Sequence, residues 1–550
     1  MKNTLRLACA LIAFVFFIHV MIFSINSAFS YKSRSLTLVN FGPENELLRS
    51  VFAGSLRHAH KLYRDYKDTR SKSFASYSSL SEHETACSYF SKIHCDSDIN
   101  LYEELEITVN KKQNPLDISN IFYVIGESYS DWIFDDIFDE IHLSSGVKSL
   151  IKEYGIKIQN NLEVSHNTIG SLNNQITGLF DTEFLLSDKR GVAKCPKTAP
   201  AFVLKELGFK SIFHYGGNAE WNNLSWLAKA CAFSEVIDGD VYLRDLKGKS
   251  ELKYSQTSEL KNNTWGVHDD IAFDYIKEHA KDMEAHFIMT ITNHSPYNYP
   301  FAIAKLKDID INNPFDAQGS VLVPKEEIKE FLNKIFPEMK DKYLNEFCTI
   351  FWYDKVLAKF IKDILEKHPK ALIAITADHY GRFFPDEKTT LQNTKTVPFI
   401  LITKAAKLRP ILNNTNHLDI ASSIINLIAS NNFKYPSFGQ IAVEIDDEKS
   451  DLSLDAKSDL SSKAKYQENN ISSGYFIVSN GSWYYSPDEG IFYTLERGLN
   501  YEKSEISDEQ KERDLKTAKD AWAKQQMARA LSWYLQNKGF MIYKSPESPN

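Results

Sequence analysis

The sequence predicts an α/β protein with a mostly parallel central sheet flanked by helices, and three observations lead there. Short, mainly apolar runs recur at residues 121–125, 211–214, 285–292, 371–376 and 397–402, and runs of that length between polar or Gly signals read as buried parallel strands. Helical patterns stand between them at 201–207, 269–283 and 344–367; such alternation implies crossover helices. The residues directly after the runs are unusually polar, and open sheets of this kind bind ligands beyond the carboxyl ends of their strands.

Taken in chain order, the first element is a membrane segment. Residues 7–25 are apolar apart from His19 and Ser24, and a helix of that length spans roughly 28 Å, enough for one bilayer crossing. Ala28 and Ser30 offer a small-residue cleavage site, so a signal peptide competes with an uncleaved anchor; the length of the run favours the anchor. Residues 1–30 are read as this anchor or signal, 31–117 as a polar juxtamembrane region, 118–440 as the catalytic domain, and 441–550 as a linker, a hairpin and a C-terminal helix. The linker, from about 446 to 470, is rich in Ser, Asp, Lys and Glu. The hairpin, 474–493, turns at Asn480-Gly481. The helix, 508–537, carries Trp522, Met527, Leu531 and Trp533 on an apolar face and is expected to pack on the catalytic domain.

With 64 basic and 72 acidic side chains the net charge is −8. A chain so nearly balanced has no broad basic surface to neutralise phosphates, which excludes nucleic acid as the main partner. Cys9 lies in the apolar segment, leaving Cys87, Cys95, Cys195, Cys231 and Cys348. Cys87 with Cys95, and Cys195 with Cys231, could close loops suited to an oxidising compartment; scattered buried thiols are the alternative. No zinc-finger spacing is present.

Three segments carry the chemistry. Glu127 follows the run 121–125. Asp378 and His379 adjoin after the run 371–376 and before Gly381, and a carboxylate beside an imidazole can ligate one divalent ion. Thr168 opens a helical pattern that ends near Gly178. Backbone N–H groups there favour an anion beside the hydroxyl; a plain N-cap threonine is the competing reading.

In that order the three segments resemble the alkaline phosphatase and sulfatase superfamily, specifically its lipoteichoic acid synthase and phosphoethanolamine transferase branch. Glu127, Thr168, Asp378 and His379 fill the positions that in the family bind the catalytic metal, Thr168 being the nucleophile. Thr177-Gly178, nine and ten residues on, matches the family pattern and selects Thr168 over Ser171. The stretch 215–221, with Asn218 and Trp221, resembles the substrate loop, and Trp265 to Asp270 the helix start that follows. The segment holding His294 resembles the one that contacts the substrate phosphate, and His417 stands in a late segment that supplies a further histidine in some members. Asn222-Asn223 stands near the family's substrate-loop Arg.

The resemblance implies an alkaline-phosphatase-like sandwich, one divalent ion (Mn²⁺ or Zn²⁺, with Mg²⁺ disfavoured by the histidine), and a phospho-threonine route. Phosphoglycerol or phosphoethanolamine would pass from a phospholipid donor to a cell-envelope glycan or lipid acceptor. The enzyme would be single-pass in the inner or cytoplasmic membrane, with its catalytic domain periplasmic or extracellular. Alternatives are a phosphodiesterase- or sulfatase-type hydrolase and a catalytically inactive lipid-binding envelope protein. Sulfatases need a Cys or Ser for formylglycine, which Thr168 cannot supply.

Overall fold

The computed structural model describes residues 82–90, 100–111, 113–182, 185–189, 194–248, 265–297, 302–317, 319–336, 343–381, 395–446, 470–488, 490–493 and 506–537. The apolar segment 7–25, Cys95 and most of the expected linker lie outside these residues. Among the described residues no helix is long and apolar enough to cross a membrane.

Seven strands form the central sheet: β1 (Asn120–Gly126), β2 (Gly155–Ile158), β3 (Lys210–Tyr215), β4 (Glu235–Ile237), β5 (Glu284–Met289), β6 (Ala371–Ala377) and β7 (Phe399–Thr403), in the order β2-β7-β6-β1-β5-β3-β4. β6, β1, β5, β3 and β4 pair in parallel, whereas β7 runs antiparallel to both β6 and β2. The sheet is therefore mixed, and β7 corrects the reading of residues 397–402 as a parallel strand. An antiparallel strand buried on both faces carries the same unbroken apolar run as a parallel one, so direction leaves no mark in the sequence. Two other bounds shift. β5 ends at Met289, so Thr290 to Thr292 belong to a loop, and the helix expected over 269–283 ends at His279.

The strands divide their side chains between two cores. Phe122, Val124, Ile373, Ile375, Ile400 and Ile402 face one core, with Phe347, Phe351 and Trp352 of a long helix. Ile121, Tyr123, Ile125, Leu372, Ala374, Phe399 and Leu401 face the other. This two-residue alternation is the strand pleat burying both faces. The helices that matter here are α1 (Ser145–Tyr154), α2 (Thr168–Thr177), α3 (Pro200–Glu206), α4 (Asp269–His279), α5 (Leu344–Lys367), α6 (His417–Ile428) and α7 (Asp508–Asn537). α1, α4 and α5 line the first core, and α2, α3 and α6 the second.

The flanking segments are tied in as well. Glu106–Thr108 pairs with Lys434–Pro436, so part of the stretch read as juxtamembrane builds onto the catalytic fold. The hairpin around Asn480-Gly481 is the centre of a four-stranded antiparallel sheet, β8 (Ser472–Gly474), β9 (Ile477–Ser479), β10 (Trp483–Ser486) and β11 (Gly490–Tyr493). α7 buries Leu531 and Leu535 against Leu101, Leu105 and Leu179. Trp522 and Trp533 are only half-buried, and Arg529 takes an inner place, its Nε donating to the Asp181 carbonyl at 2.6 Å. Cys195 and Cys231 form a disulfide, Cys87 is disulfide-bonded, and Cys348 is buried and outside any disulfide.

Candidate active site

Strand register sets the site. Gly126 of β1 pairs with Ala377 of β6, so the next residues, Glu127 and Asp378, leave the sheet side by side. The Asp378 N–H donates to the Gly126 carbonyl at 3.1 Å, and the Glu127 N–H to Thr290 Oγ1 at 3.0 Å, which ties in the end of β5. Asp378 Oδ1 accepts the backbone N–H of Ser128 at 2.8 Å and of His379 at 2.7 Å. Its other oxygen, Oδ2, is buried with no hydrogen-bond partner and lies 3.3 Å from His379 Nε2. Gly381 closes this loop onto the first, since a Cβ there would stand 2.8 Å from the Ser128 carbonyl oxygen.

The ligating atoms of Glu127, Asp378 and His379 all lie within 4.8 Å of one another, and all three residues are buried. His379 Nδ1 donates to the Tyr380 carbonyl at 2.6 Å, which leaves the Nε2 lone pair facing the carboxylates, the tautomer a metal-ligating histidine needs. An orphaned carboxylate oxygen, a second carboxylate and a directed imidazole nitrogen together fit one divalent cation.

Thr168 completes the cluster from α2. Asn167, rather than Thr168, is the N-cap: its Oδ1 accepts the Gly170 N–H at 2.8 Å. The Thr168 hydroxyl is thereby released from capping, and its Oγ1 lies 3.5 Å from Glu127 Oε2 and 3.4 Å from His379 Nε2. The helix is anchored by Leu172 and Ile176 in the core and by Gln175, which accepts from Tyr123 Oη at 2.8 Å and donates to the Ala377 carbonyl at 3.3 Å. It stops at Gly178, whose φ of +69° is open to glycine at little strain.

Above the cluster opens a cleft of about 410 Å³ lined by Glu127, Thr168, Asn218, Trp221, His294 and five further residues, among them Tyr215, Trp265 and Ile291. Asn218, Trp221 and His294, all singled out in the sequence, therefore meet Thr168 and Glu127 here. His294 stands on the loop after β5, which buried Asp269 pins by accepting the N–H groups of Ile291 at 2.9 Å and Thr292 at 3.0 Å; burial pushes the Asp269 carboxyl up to about 6. His294 Nδ1 donates to the Ser295 carbonyl at 2.8 Å. Asn223 donates instead to the Ser187 carbonyl at 3.0 Å and is not part of the cleft wall.

His417 is the exception. It opens α6, is 1% exposed, accepts the Val164 N–H at Nδ1 and lines no part of this cleft. Burial lowers its imidazole to about 3, aided by nearby His379. The cleft therefore does not bring His417 together with the other residues expected to bind substrate.

Sequence reasoning missed Glu163, and it placed Tyr215 and Trp265 in motif-bearing stretches without giving either a role of its own. Glu163 is buried and accepts the Tyr380 N–H at 2.7 Å, with Lys395 at 3.2 Å, so it braces the turn after His379. Burial raises its carboxyl above the usual range, with Lys395 opposing. Tyr215, at the end of β3, and Trp265, ahead of α4, both wall the cleft. Nothing local marks Glu163 as buried.

The sulfatase family model matches residues 119–430. Two solved structures share the fold. A protein in the alkaline phosphatase superfamily from Vibrio parahaemolyticus is 15% identical, with 84% of this chain and 96% of that chain covered and a TM-score of 0.52. The lipoteichoic acid synthase LtaP from Listeria monocytogenes is also 15% identical, with 76% and 92% covered and a TM-score of 0.52. At these identities the likeness is one of fold, the α/β alkaline-phosphatase-like sandwich with its mixed central sheet. No curated protein matches the chain in sequence.

Proposed function

We propose, from the premise that this chain belongs to the sulfatase family, that it is a metal-dependent transferase. It moves a phosphoryl head group, phosphoglycerol or phosphoethanolamine, from a phospholipid to a cell-envelope glycan or lipid through a phospho-threonine. The observation that carries the proposal is the Thr168 hydroxyl, 3.5 Å from Glu127 Oε2 and 3.4 Å from His379 Nε2 at the floor of an open cleft.

Glu127, Asp378 and His379, with Thr168, are the residues that would hold the ion, and the imidazole favours Mn²⁺ or Zn²⁺ over Mg²⁺. A bound divalent cation supplies Lewis-acid chemistry, favouring the alkoxide of a hydroxyl that is otherwise a poor nucleophile and offsetting phosphoryl charge. Thr168 Oγ1 loses its proton to water in the cleft and attacks phosphorus; the Thr168 Oγ–P bond forms and the bond to the diacylglycerol oxygen breaks. His294, oriented by its Nδ1 bond to Ser295, gives its Nε2 proton to that leaving oxygen. In the second step the acceptor hydroxyl returns a proton to His294 as its oxygen bonds phosphorus. The Thr168 Oγ–P bond then breaks and the hydroxyl regains a proton from water. Asn218 and Trp221 hold the head group. The Cys195–Cys231 disulfide supports an oxidising, extracytoplasmic setting, and a membrane anchor at 7–25 would keep the cleft near a lipid donor.

Intact-protein mass spectrometry of the full chain in detergent, with phospholipid and Mn²⁺ or Zn²⁺, tests this. A head-group adduct on wild type and none on Thr168→Ala is expected. Absence of both adduct and diacylglycerol release from wild type would overturn the proposal, and release of free head group to water at the same rate with or without acceptor would replace transfer by hydrolysis.

A further inference from the structure

Two of the few large apolar side chains left exposed in the described structure, Trp221 at 41% and Trp265 at 45%, line the cleft that holds Thr168. Each is fixed in place. Trp221 stacks on Tyr215 with ring centroids 6.3 Å apart and planes 25° from parallel. Trp265 donates its Nε1 proton to the Ser295 carbonyl at 2.7 Å and sits 4.4 Å from the His294 ring. Tyr215 is itself buried at the strand end, so the wall is preorganised rather than recruited on binding.

The charge pattern fits the same ligand. Among the described residues the cleft wall includes no Lys or Arg. Of the amides, Asn167 spends its Oδ1 on the Gly170 N–H and Asn218 its Oδ1 on the Glu220 N–H. A polyol head group entering here would give up water for few hydrogen-bond partners, which is costly. An alkylated ammonium loses little on leaving water and is attracted to aromatic faces, Trp most of all.

We infer that the cleft selects phosphodiesters whose head group carries a positive charge, an alkylated ammonium above all, held between Trp221, Tyr215 and Trp265. This rests on the transferase reading for the position of the phosphate at Thr168, and it narrows the donor to a cationic head group over phosphoglycerol.

The test compares cleavage of the p-nitrophenyl esters of phosphocholine and of phosphoglycerol by the metal-loaded full chain. The phosphocholine ester is expected to show kcat/KM at least tenfold higher. Trp265→Leu should reduce that ratio about tenfold, and Trp265→Phe should keep most of it. A ratio near one, or one unchanged in Trp265→Leu, overturns the inference while leaving phosphodiester chemistry intact. If neither ester is cleaved, binding decides the inference, read as tryptophan fluorescence on titration with phosphocholine and with glycerol 1-phosphate, while the transferase reading is decided by adduct formation and diacylglycerol release. Saturation by phosphocholine at a tenth or less of the glycerol 1-phosphate concentration, lost in Trp265→Leu, sustains the ammonium site; equal or absent responses overturn it.

Discussion

Replacing Asp378 by Asn separates metal binding from folding. Asp378 Oδ1 accepts two backbone N–H groups, from Ser128 and His379, and an asparagine carbonyl can accept both. The Oδ2 position, buried and unpartnered, becomes an amide that can donate to His379 Nε2, 3.3 Å away. The variant should therefore fold, and in metal-free buffer it should melt at or above wild type, because a buried negative charge has been removed. The metal response should vanish. An ion present at about 100 times its Kd stabilises the wild type by roughly 2.7 kcal/mol, and a cooperative unit of about 300 residues unfolds with an entropy of roughly 0.6 kcal/mol/K, so the expected gain is about 4 °C. Differential scanning calorimetry of both proteins in EDTA and in Mn²⁺ or Zn²⁺ measures this. A wild type whose melting temperature ignores the ion, or an Asp378→Asn variant that gains as much as wild type, would refute the metal assignment.

Three further outcomes follow from the packing. Asp354, fully buried, caps α1 through the Gly146 and Val147 N–H groups at 2.8 and 3.0 Å and pairs with buried Lys355 at 2.8 Å; Asp354→Ala should cost about 3–5 kcal/mol in urea unfolding, because it strands a buried ammonium. The Cys195–Cys231 bridge closes a separation of 36 residues, so Cys195→Ser should lower stability by about 3–4 kcal/mol on chain-entropy grounds in urea unfolding without reductant, and a loss under about 1 kcal/mol would contradict this. Burial depresses His286 to about 3, so the neutral form stabilises the fold fully above pH 6.5 and progressively less as pH falls toward 3; between pH 7.5 and 5.5 wild type should lose about 1.4 kcal/mol more than His286→Phe, which keeps the stacking on Phe122.

The fold was legible where one residue type repeats its reason. The runs at β1 and β6 are buried on both faces along all seven residues, and α5 spans its expected bounds because its apolar stripe continues through the whole length. What escaped notice is what local pattern does not encode. β2 and β4, only four and three residues long with half-buried positions, carry too little apolar signal to stand out. The direction of β7 depends on a connection rather than on its own residues. The end of α4 at His279 precedes Ala280, whose extended backbone breaks the helix although alanine by itself favours one.

The site shows the same division between what a strand end announces and what only tertiary structure can assemble. Glu127 and Asp378-His379 were readable because each follows a buried run, and the register of Gly126 with Ala377 turns two distant sequence positions into neighbours. Thr168 could not be separated from an ordinary N-cap by sequence, since both readings ask for a hydroxyl at a helix start. The structure divides the tasks: Asn167 caps, and Thr168, one residue on, turns its hydroxyl to the carboxylates. Glu163, His417 and Asp269 then act from behind, where burial raises the two carboxyls and lowers the imidazole. Their service is to fix loops, and a residue that fixes a loop is chosen by the space left around it, which becomes defined only after the strands have met.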